Sequence, residues 1–154
     1  CIKSAHKKGD ENFYIVSAWC SENKLVLNQT RTPKKSNEIT AIPILLKSLE
    51  LKEAIITVDA VGTQKNIASQ ITSSDNKYVL AVKRNQKKLY SKLINKFDVF
   101  IKNIELYNAQ NVIVTEECGH GRIEKRSYYY IDDIKDLDLN NEWSGITSIG
   151  AFVK

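Results

Sequence analysis

The sequence predicts an α/β fold, in which helices flank a sheet that contains parallel strands. Segments with the β-branched and aromatic content of strands alternate along the chain with segments whose apolar residues repeat at helical spacing. Two short and continuously apolar segments, residues 54–59 (AIITVD) and 78–82 (YVLAV), are separated by a predicted helix. A strand–helix–strand connection joins parallel strands, and continuously apolar strands are typical of a sheet that is buried on both faces.

The first third of the chain is predicted to form a β-hairpin and a helix. Residues 12–20 (NFYIVSAWC) and 24–32 (KLVLNQTRT) have strand composition, and their three-residue connection makes them antiparallel. A helix is predicted to start near Ser36, because this small polar residue precedes Glu38 and an apolar repeat. Pro43 lies within the repeat, where it either kinks the helix or marks its first turn.

A tight connection is predicted between the first apolar strand and the next helix. Gly62 interrupts the apolar segment three residues after Asp59, and Thr63 is expected to cap a helix over residues 64–73. In open α/β sheets, ligands gather outside the carboxyl ends of the strands. Asp59 is therefore a candidate Mg²⁺ ligand, since Mg²⁺ takes oxygen ligands and often only one or two protein carboxylates. The alternative is a helix-capping or plain turn residue.

The rest of the chain is predicted to form one long helix and a β-rich end. Residues 86–102 carry an apolar stripe at helical spacing with lysines beside it. Residues 111–115, 123–131 and 146–153 have strand composition, and residues 117–122 (ECGHGR) are expected to form the turn between the first two strands.

Composition and charge narrow the function classes. At 154 residues the chain fits one domain, and it has no apolar run of the roughly 20 residues that cross a bilayer. Three widely spaced cysteines indicate neither a disulfide framework nor a zinc site, which predicts a reducing, cytoplasmic location. The net charge is +5, and residues 77–102 alone carry eight basic residues and a single acid. This stretch is either a phosphate-binding surface or a solvated helix face.

Two polar segments are candidate phosphate-contacting sites. The first follows the second apolar strand, should share the sheet edge of Asp59, and comprises Lys83, Arg84, Asn85 and Gln86. The second is residues 119–126 (GHGRIEKR), in which Glu124 is a candidate metal ligand and Arg122 and Arg126 are candidate phosphate contacts. The alternative is a hairpin with exposed charges, since residues 122, 124 and 126 share one face of a strand and His120 then lies in the turn.

Six segments of the chain together resemble a known family. They are VSAW (16–19), LVLNQT (25–30), KSNEITAIPILL (35–46), TVDAVGTQKNIA (57–68), YVLAVKRNQ (78–86) and GHGRIEKR (119–126). In this order they resemble the insertion-sequence transposases related to the H-repeat-associated proteins, within the DDE superfamily. The resemblance covers nearly the whole chain, and several of the segments are long and specific.

The resemblance implies an RNase H-like mixed sheet flanked by helices. The family's first strand ends in an Asp-Gly-Lys motif with the first catalytic acid, and we expect this strand to be missing here, directly before Cys1. Residues 1–110 are then a partial catalytic core, and residues 111–154 are part of a β-rich C-terminal insertion. A chain that lacks one strand of its sheet is expected to be aggregation-prone or partly unfolded.

The resemblance also implies catalytic residues. The second catalytic acid, a metal ligand, corresponds to Asp59 in TVDAVGTQ. For the third acid, a glutamate, two placements stay open: Glu124, or a residue downstream of Lys154. We favour the downstream placement, because the family's third acid lies on a helix whereas Glu124 has a strand pattern.

The implied activity is DNA transposition, in which Mg²⁺ or Mn²⁺ assists cleavage at the element ends and transfer of the 3′ ends to target DNA. The full-length protein is expected to act on DNA as a homodimer, away from membranes. Residues expected to position the DNA backbone without reading sequence are Lys83, Arg84, Lys87 and Lys88. Two alternatives stay open. One is a catalytically inactive remnant that at most binds nucleic acid, and the other is an RNase H-like nuclease that only hydrolyses.

Overall fold

Strands and helices follow one another in the predicted order, as a mixed α/β arrangement. The computed structural model describes residues 14–32, 38–107, 111–119 and 122–153. The chain divides into two compact units, Cys1–Asn85 with Trp143–Gly145 and Gln86–Glu142 with Ile146–Lys154. Among the helices of these ranges, none is long and apolar enough to cross a membrane.

The predicted hairpin opens the first unit. Strands β1 (Tyr14–Cys20) and β2 (Leu25–Thr32) pair antiparallel, which confirms the prediction, and their register shifts between Ala18 and Trp19. Both strands contact helix α1 (Glu38–Leu49). The predicted start of this helix at Ser36 lies outside the described residues.

Pro43 lies inside α1, in its second turn, so it does not mark the first turn of the helix. The carbonyl of Pro43 accepts a hydrogen bond from the side-chain amide of Gln70, at 2.8 Å. Gln70 belongs to helix α2 (Lys65–Ser73), which contacts α1. This bond therefore ties the two helices together at the proline.

The parallel pair predicted for the middle of the chain is present. Strands β3 (Ile55–Val58) and β4 (Lys77–Leu80) pair in parallel across α2. The expectation that both faces are buried is wrong. Ile55 is 68% exposed and Val79 is 59% exposed, whereas Ile56 faces α2 and lines one groove with Ile71. The helices cover one face of the pair, so only the alternate residues of each strand are shielded from water.

The core of the first unit lies between the two helices and this shielded face. Its fully buried side chains include Ile67 and Ile71 of α2, each of which stabilises the fold by roughly 1.5–3 kcal/mol through removal from water. Gln64 precedes the first turn of α2, so the expectation that Thr63 caps this helix is wrong. The hydroxyl of Thr63 instead bonds to the carbonyl of Ala81, which follows β4.

The second unit combines the predicted long helix with the β-rich end. Helix α3 (Lys87–Lys102) is followed by β5 (Val112–Gly119), β6 (Arg122–Ile131) and β7 (Ile149–Val153), which form an antiparallel sheet in the order β5-β6-β7. The ladder between β5 and β6 continues to the pair of Gly119 and Arg122. The turn predicted over residues 117–122 is therefore shorter than expected, because the strands extend into it.

One aromatic cluster joins α3 to the sheet of the second unit. Phe100 is fully buried, with its ring centroid 6.2 Å from that of Tyr129 on β6 and 4.1 Å from that of Tyr107. Edge-to-face and tilted pairs of this kind add roughly 0.5–1.5 kcal/mol each beyond the burial of their surface. The helix is thus anchored by Phe100 near its C-terminal end.

The phenol of Tyr78 gives a test of the first unit's packing. Tyr78 lies on β4, its hydroxyl donates to the Ser144 carbonyl at 2.9 Å, and burial raises its pKa above the ordinary value of 10.0. The unfolded chain therefore releases this proton at lower pH than the folded chain does. The contribution of Tyr78 to stability is complete below about pH 10 and is lost as the pH rises through the folded pKa.

We expect the free energy of unfolding to fall more steeply above pH 10 in the wild-type chain than in Tyr78→Phe. Urea denaturation between pH 7 and pH 11 measures this difference. The range from pH 7 to pH 9, where the phenol is protonated in both states, is the internal control and should show two parallel profiles. Parallel profiles above pH 10 as well would show that Tyr78 is not shielded from water in the folded chain.

Candidate functional site

Asp59 lies directly after β3, at the carboxyl end of the parallel pair. Its backbone is extended, and it precedes a 3₁₀ turn over Ala60–Gly62. The carboxylate Oδ1 accepts the backbone N–H of Ala60, so Asp59 does cap this turn. Its side chain is nonetheless 76% exposed, and Oδ2 has no hydrogen-bond partner within the described part of the chain. The capping role thus uses one carboxylate oxygen and leaves the other facing solvent.

The turn after Asp59 is tight because Gly62 allows close packing. The Gly62 N–H donates to the carbonyl of Asp59 at 2.9 Å, and the turn contacts α1. A β-carbon at Gly62 would overlap the Val58 side chain and would lie 2.6 Å from Cδ1 of Ile42. Glycine is therefore required here for space, and it holds the Asp59 turn close against β3 and α1.

The loop after β4 runs beside the Asp59 turn. The Nζ of Lys83 lies 3.6 Å from Oδ1 of Asp59, and both side chains are at least 70% exposed. An exposed pair at this distance contributes little stability, on the order of 0–1 kcal/mol. The pair therefore shows that a basic side chain and the carboxylate share one edge of the sheet, and it leaves both available to other partners.

Two further bonds join the same two loops. The Asn85 side-chain amide donates to the carbonyl of Ala60 at 2.7 Å, and the Thr63 hydroxyl donates to the carbonyl of Ala81 at 2.6 Å. Sequence reasoning assigned Thr63 to helix capping and Asn85 to phosphate contact, and it did not foresee either bond. No local pattern signals them, because each joins residues that are distant in sequence, 18 positions apart for Thr63 and Ala81.

The basic segment divides into exposed and engaged lysines. Lys87 and Lys88 are exposed in the first turn of α3, which contains no acidic residue. Lys92 and Lys96, about one and two turns after Lys88, are engaged within the second unit. The ammonium group of Lys92 donates to the Leu137 carbonyl at 2.8 Å, and that of Lys96 pairs with the Asp136 carboxylate at 2.7 Å. Of these four lysines, the two at the start of α3 are thus available to a ligand.

The structure describes only part of the predicted cluster at residues 119–126. His120 lies outside the described residues, and so does the side chain of Arg122, although its backbone starts β6. Glu124 Oε2 and Arg126 Nη2 lie 2.9 Å apart on one face of β6, and each side chain is about one-third exposed. The Glu124 carboxylate therefore has a cationic partner and lies on a strand.

A carboxylate such as Asp59 suits Mg²⁺ or Mn²⁺, because these ions prefer oxygen ligands. In the described ranges, however, no three His, Cys, Asp or Glu side chains come close enough together to hold a metal ion. Asp59 therefore stays a candidate for a single metal ligand.

Comparison with known proteins identifies relatives for most of the chain. Residues 2–135 match the family model described as transposase DDE domain. The chain is 40% identical over 151 residues to "Putative transposase YncI" of Escherichia coli O157:H7, across 96% of this chain and 38% of that protein. It is 37% identical over 138 residues to "H repeat-associated putative transposase YhhI" of Escherichia coli strain K12, across 88% of this chain and 35% of that protein.

A further relative, "Putative transposase YncI" of strain K12, is 45% identical over 127 residues, which is 81% of this chain and 50% of that protein. The chain thus spans between about one-third and one-half of the length of these relatives. No solved structure gave a significant match.

Proposed function

The chain belongs to the transposase DDE domain family, of the H-repeat type, and from this membership we propose that it is part of the catalytic core of a DNA transposase. The observation that carries the proposal is the position of Asp59, an exposed carboxylate at the carboxyl end of a parallel strand, beside a basic loop. The substrates are DNA at the ends of a mobile element and target DNA.

We propose that the strands of the first unit belong to one RNase H-like mixed sheet. Within the described residues, β1 pairs only with β2 and β3 pairs only with β4, so each of these strands has an open edge. Helix α1 contacts the hairpin and the Asp59 turn alike. A strand between the two open edges, carrying the first catalytic acid, would complete the sheet. Residues 1–110 are then part of the core, and residues 111–154 part of a β-rich insertion.

Asp59 is proposed as the second catalytic acid and as a metal ligand through its solvent-facing oxygen. Bound Mg²⁺ or Mn²⁺ supplies Lewis-acid stabilisation of the charge that develops on phosphoryl oxygens. The third acid is proposed to be a glutamate downstream of Lys154. Glu124 fits this role less well, because it lies on a strand and pairs with Arg126.

The proposed DNA contacts are the exposed cations near Asp59 and at the start of α3. Lys83 and Arg84 follow β4, and Lys87 and Lys88 lie in the first turn of the helix. The N-terminus of a helix carries partial positive charge, so lysines there weaken the helix slightly and favour an anion such as phosphate. Further contacts are proposed for Gln86, for Arg122 and Arg126 of β6, and for His120, which lies outside the described residues.

A second candidate is a segment that binds nucleic acid without cutting it. It is favoured by the lack of a three-ligand cluster in the residues that the structure describes. The two candidates differ in what the full-length protein that contains this segment does with Mg²⁺ and DNA.

In the full-length protein that contains this segment, we expect Asp59→Asn to lower Mg²⁺-dependent nicking of element-end DNA by at least about a thousandfold. The reason is that metal-ion stabilisation of the transition state is worth several kcal/mol, and each 1.36 kcal/mol is tenfold in rate. DNA binding, measured by fluorescence anisotropy, should persist. The matched control is Asp75→Asn, which makes the same change at an exposed carboxyl just before β4. Equal nicking by Asp59→Asn and Asp75→Asn would contradict the assignment.

The isolated 154-residue chain is expected to show no Mg²⁺-dependent nicking of supercoiled plasmid, because one acid does not build a two-metal site. Gel electrophoresis of plasmid incubated with Mg²⁺ or Mn²⁺ provides the measurement. Robust nicking that Glu124→Gln abolishes would place the third acid at Glu124, inside this chain.

The two classes of lysine in α3 should differ in their effect on DNA binding. Lys88→Ala is expected to reduce the slope of log affinity against log salt concentration by about 0.9, the value for one phosphate contact. Lys96→Ala, the matched control, removes a lysine that is paired with Asp136 and should leave the slope unchanged. Equal salt-dependence slopes for Lys88→Ala and the wild-type chain would show that Lys88 does not contact a DNA phosphate.

A further inference from the structure

We propose that Thr63 and Asn85 are positioning residues, which hold Asp59 and Lys83 together as one site through reciprocal bonds between their loops. The proposal rests on the proposed function, because it assumes that Asp59 binds a metal ion. It gives Asn85 a different role from the phosphate contact that the sequence suggested.

The two bonds run in opposite directions between the loops. Thr63, in the loop after β3, donates its hydroxyl to the carbonyl of Ala81 after β4, at 2.6 Å. Asn85, in the loop after β4, donates its amide to the carbonyl of Ala60 after β3, at 2.7 Å. Each loop therefore contributes one side chain and accepts one bond on its backbone, so neither loop can shift without breaking a bond.

These bonds begin where the parallel ladder ends. Val58 and Leu80 are the last paired residues of the two strands, and the N–H of Ala81 donates to the Val58 carbonyl at 3.1 Å. Beyond this point, the exposed ion pair of Asp59 and Lys83 also joins the loops, but it is too weak to fix their geometry. The two side-chain bonds thus continue the pairing into the region that carries the charges.

Thr63 is suited to a permanent bond because it is fully buried. Its relative exposure is 0%, and its hydroxyl also lies 3.5 Å from the carbonyl of Asp59. Loss of this hydroxyl would remove a part-buried hydrogen bond between the two loops, which would loosen their arrangement. Thr63 therefore connects Asp59 itself to the end of β4.

Asn85 fixes the residue next to the carboxylate. Ala60 is buried, and its carbonyl accepts both the N–H of Thr63 at 3.2 Å and the Asn85 amide. The N–H of Ala60 in turn holds Oδ1 of Asp59. The backbone N–H and the backbone carbonyl of Ala60 are thus both engaged. Because the N–H holds Oδ1 of Asp59, the position of Ala60 determines where this carboxylate lies. The N–H that the Asn85 amide donates to Ala60 is engaged in this bond and is not available to a phosphate.

The test uses the full-length protein that contains this segment, labelled with ¹⁵N, and the paramagnetic broadening that Mn²⁺ causes at the amides of Ala60 and Lys83. In Asn85→Ala and Asn85→Leu, the Mn²⁺ concentration for half-maximal broadening should rise on the order of tenfold, as is typical when a partner that orients a metal ligand is lost. Thr63→Val should behave in the same way, and Thr63→Ser, which keeps the hydroxyl, should match the wild-type chain.

Two references separate positioning from other roles. Asp59→Asn should abolish the broadening, and Asp75→Asn should leave it unchanged.

The melting temperature of Asn85→Ala should stay within about 2 °C of the wild-type value, because substitutions at exposed positions cost little stability. The salt dependence of DNA binding should also be unchanged in Asn85→Ala, since no phosphate contact is removed.

Wild-type broadening in both Asn85 variants, together with its loss in Asp59→Asn, would overturn the positioning role and leave the metal role of Asp59 standing. Unchanged broadening in Asp59→Asn would overturn the metal role, and the positioning role with it. A reduced salt slope in Asn85→Ala would show that Asn85 contacts DNA instead. If Thr63→Val does not fold, the Asn85 variants decide the question, because Asn85 lies at the surface.

Discussion

The parallel pairing of β3 with β4 is the constraint on which the candidate site depends. Parallel strands direct their carboxyl ends to the same edge of a sheet, so the residues that follow each strand must meet there. With four paired residues in each strand, the ladder brings the Asp59 turn and the Lys83 loop side by side. The chemistry proposed for the chain follows from this meeting of a carboxylate and a cation.

A ladder of four residue pairs does not by itself fix the positions of the loops that follow it. In this chain, side-chain hydrogen bonds join the two loops. Thr63 and Asn85 cross-link the two loops, and Gly62 lets the Asp59 turn lie close against β3 and α1. The arrangement separates two tasks. The neutral polar side chains hold the backbone, and the charged side chains stay exposed to solvent.

The basic stretch shows a similar division of tasks. Its sequence suggests a uniform positive face, yet Lys92 and Lys96 bind acceptors of their own unit, whereas Lys87 and Lys88 are exposed in the first turn of α3. Lysines whose ammonium groups are held within the fold contribute to packing as much as to charge. Local charge density in a sequence therefore overstates the surface available to a phosphate backbone.

The sequence by itself determined the order of elements, the hairpin, the parallel pair and the position of Asp59 at a strand end, because these follow from periodicity and turn residues close together in the chain. The resemblance of its motifs also identified the family that the comparisons then established. The sequence did not determine the exposed face of β3, the true cap of α2 or the partners of Thr63, Asn85 and Lys96. Each of these depends on residues that are distant along the chain, so only the tertiary structure could decide them.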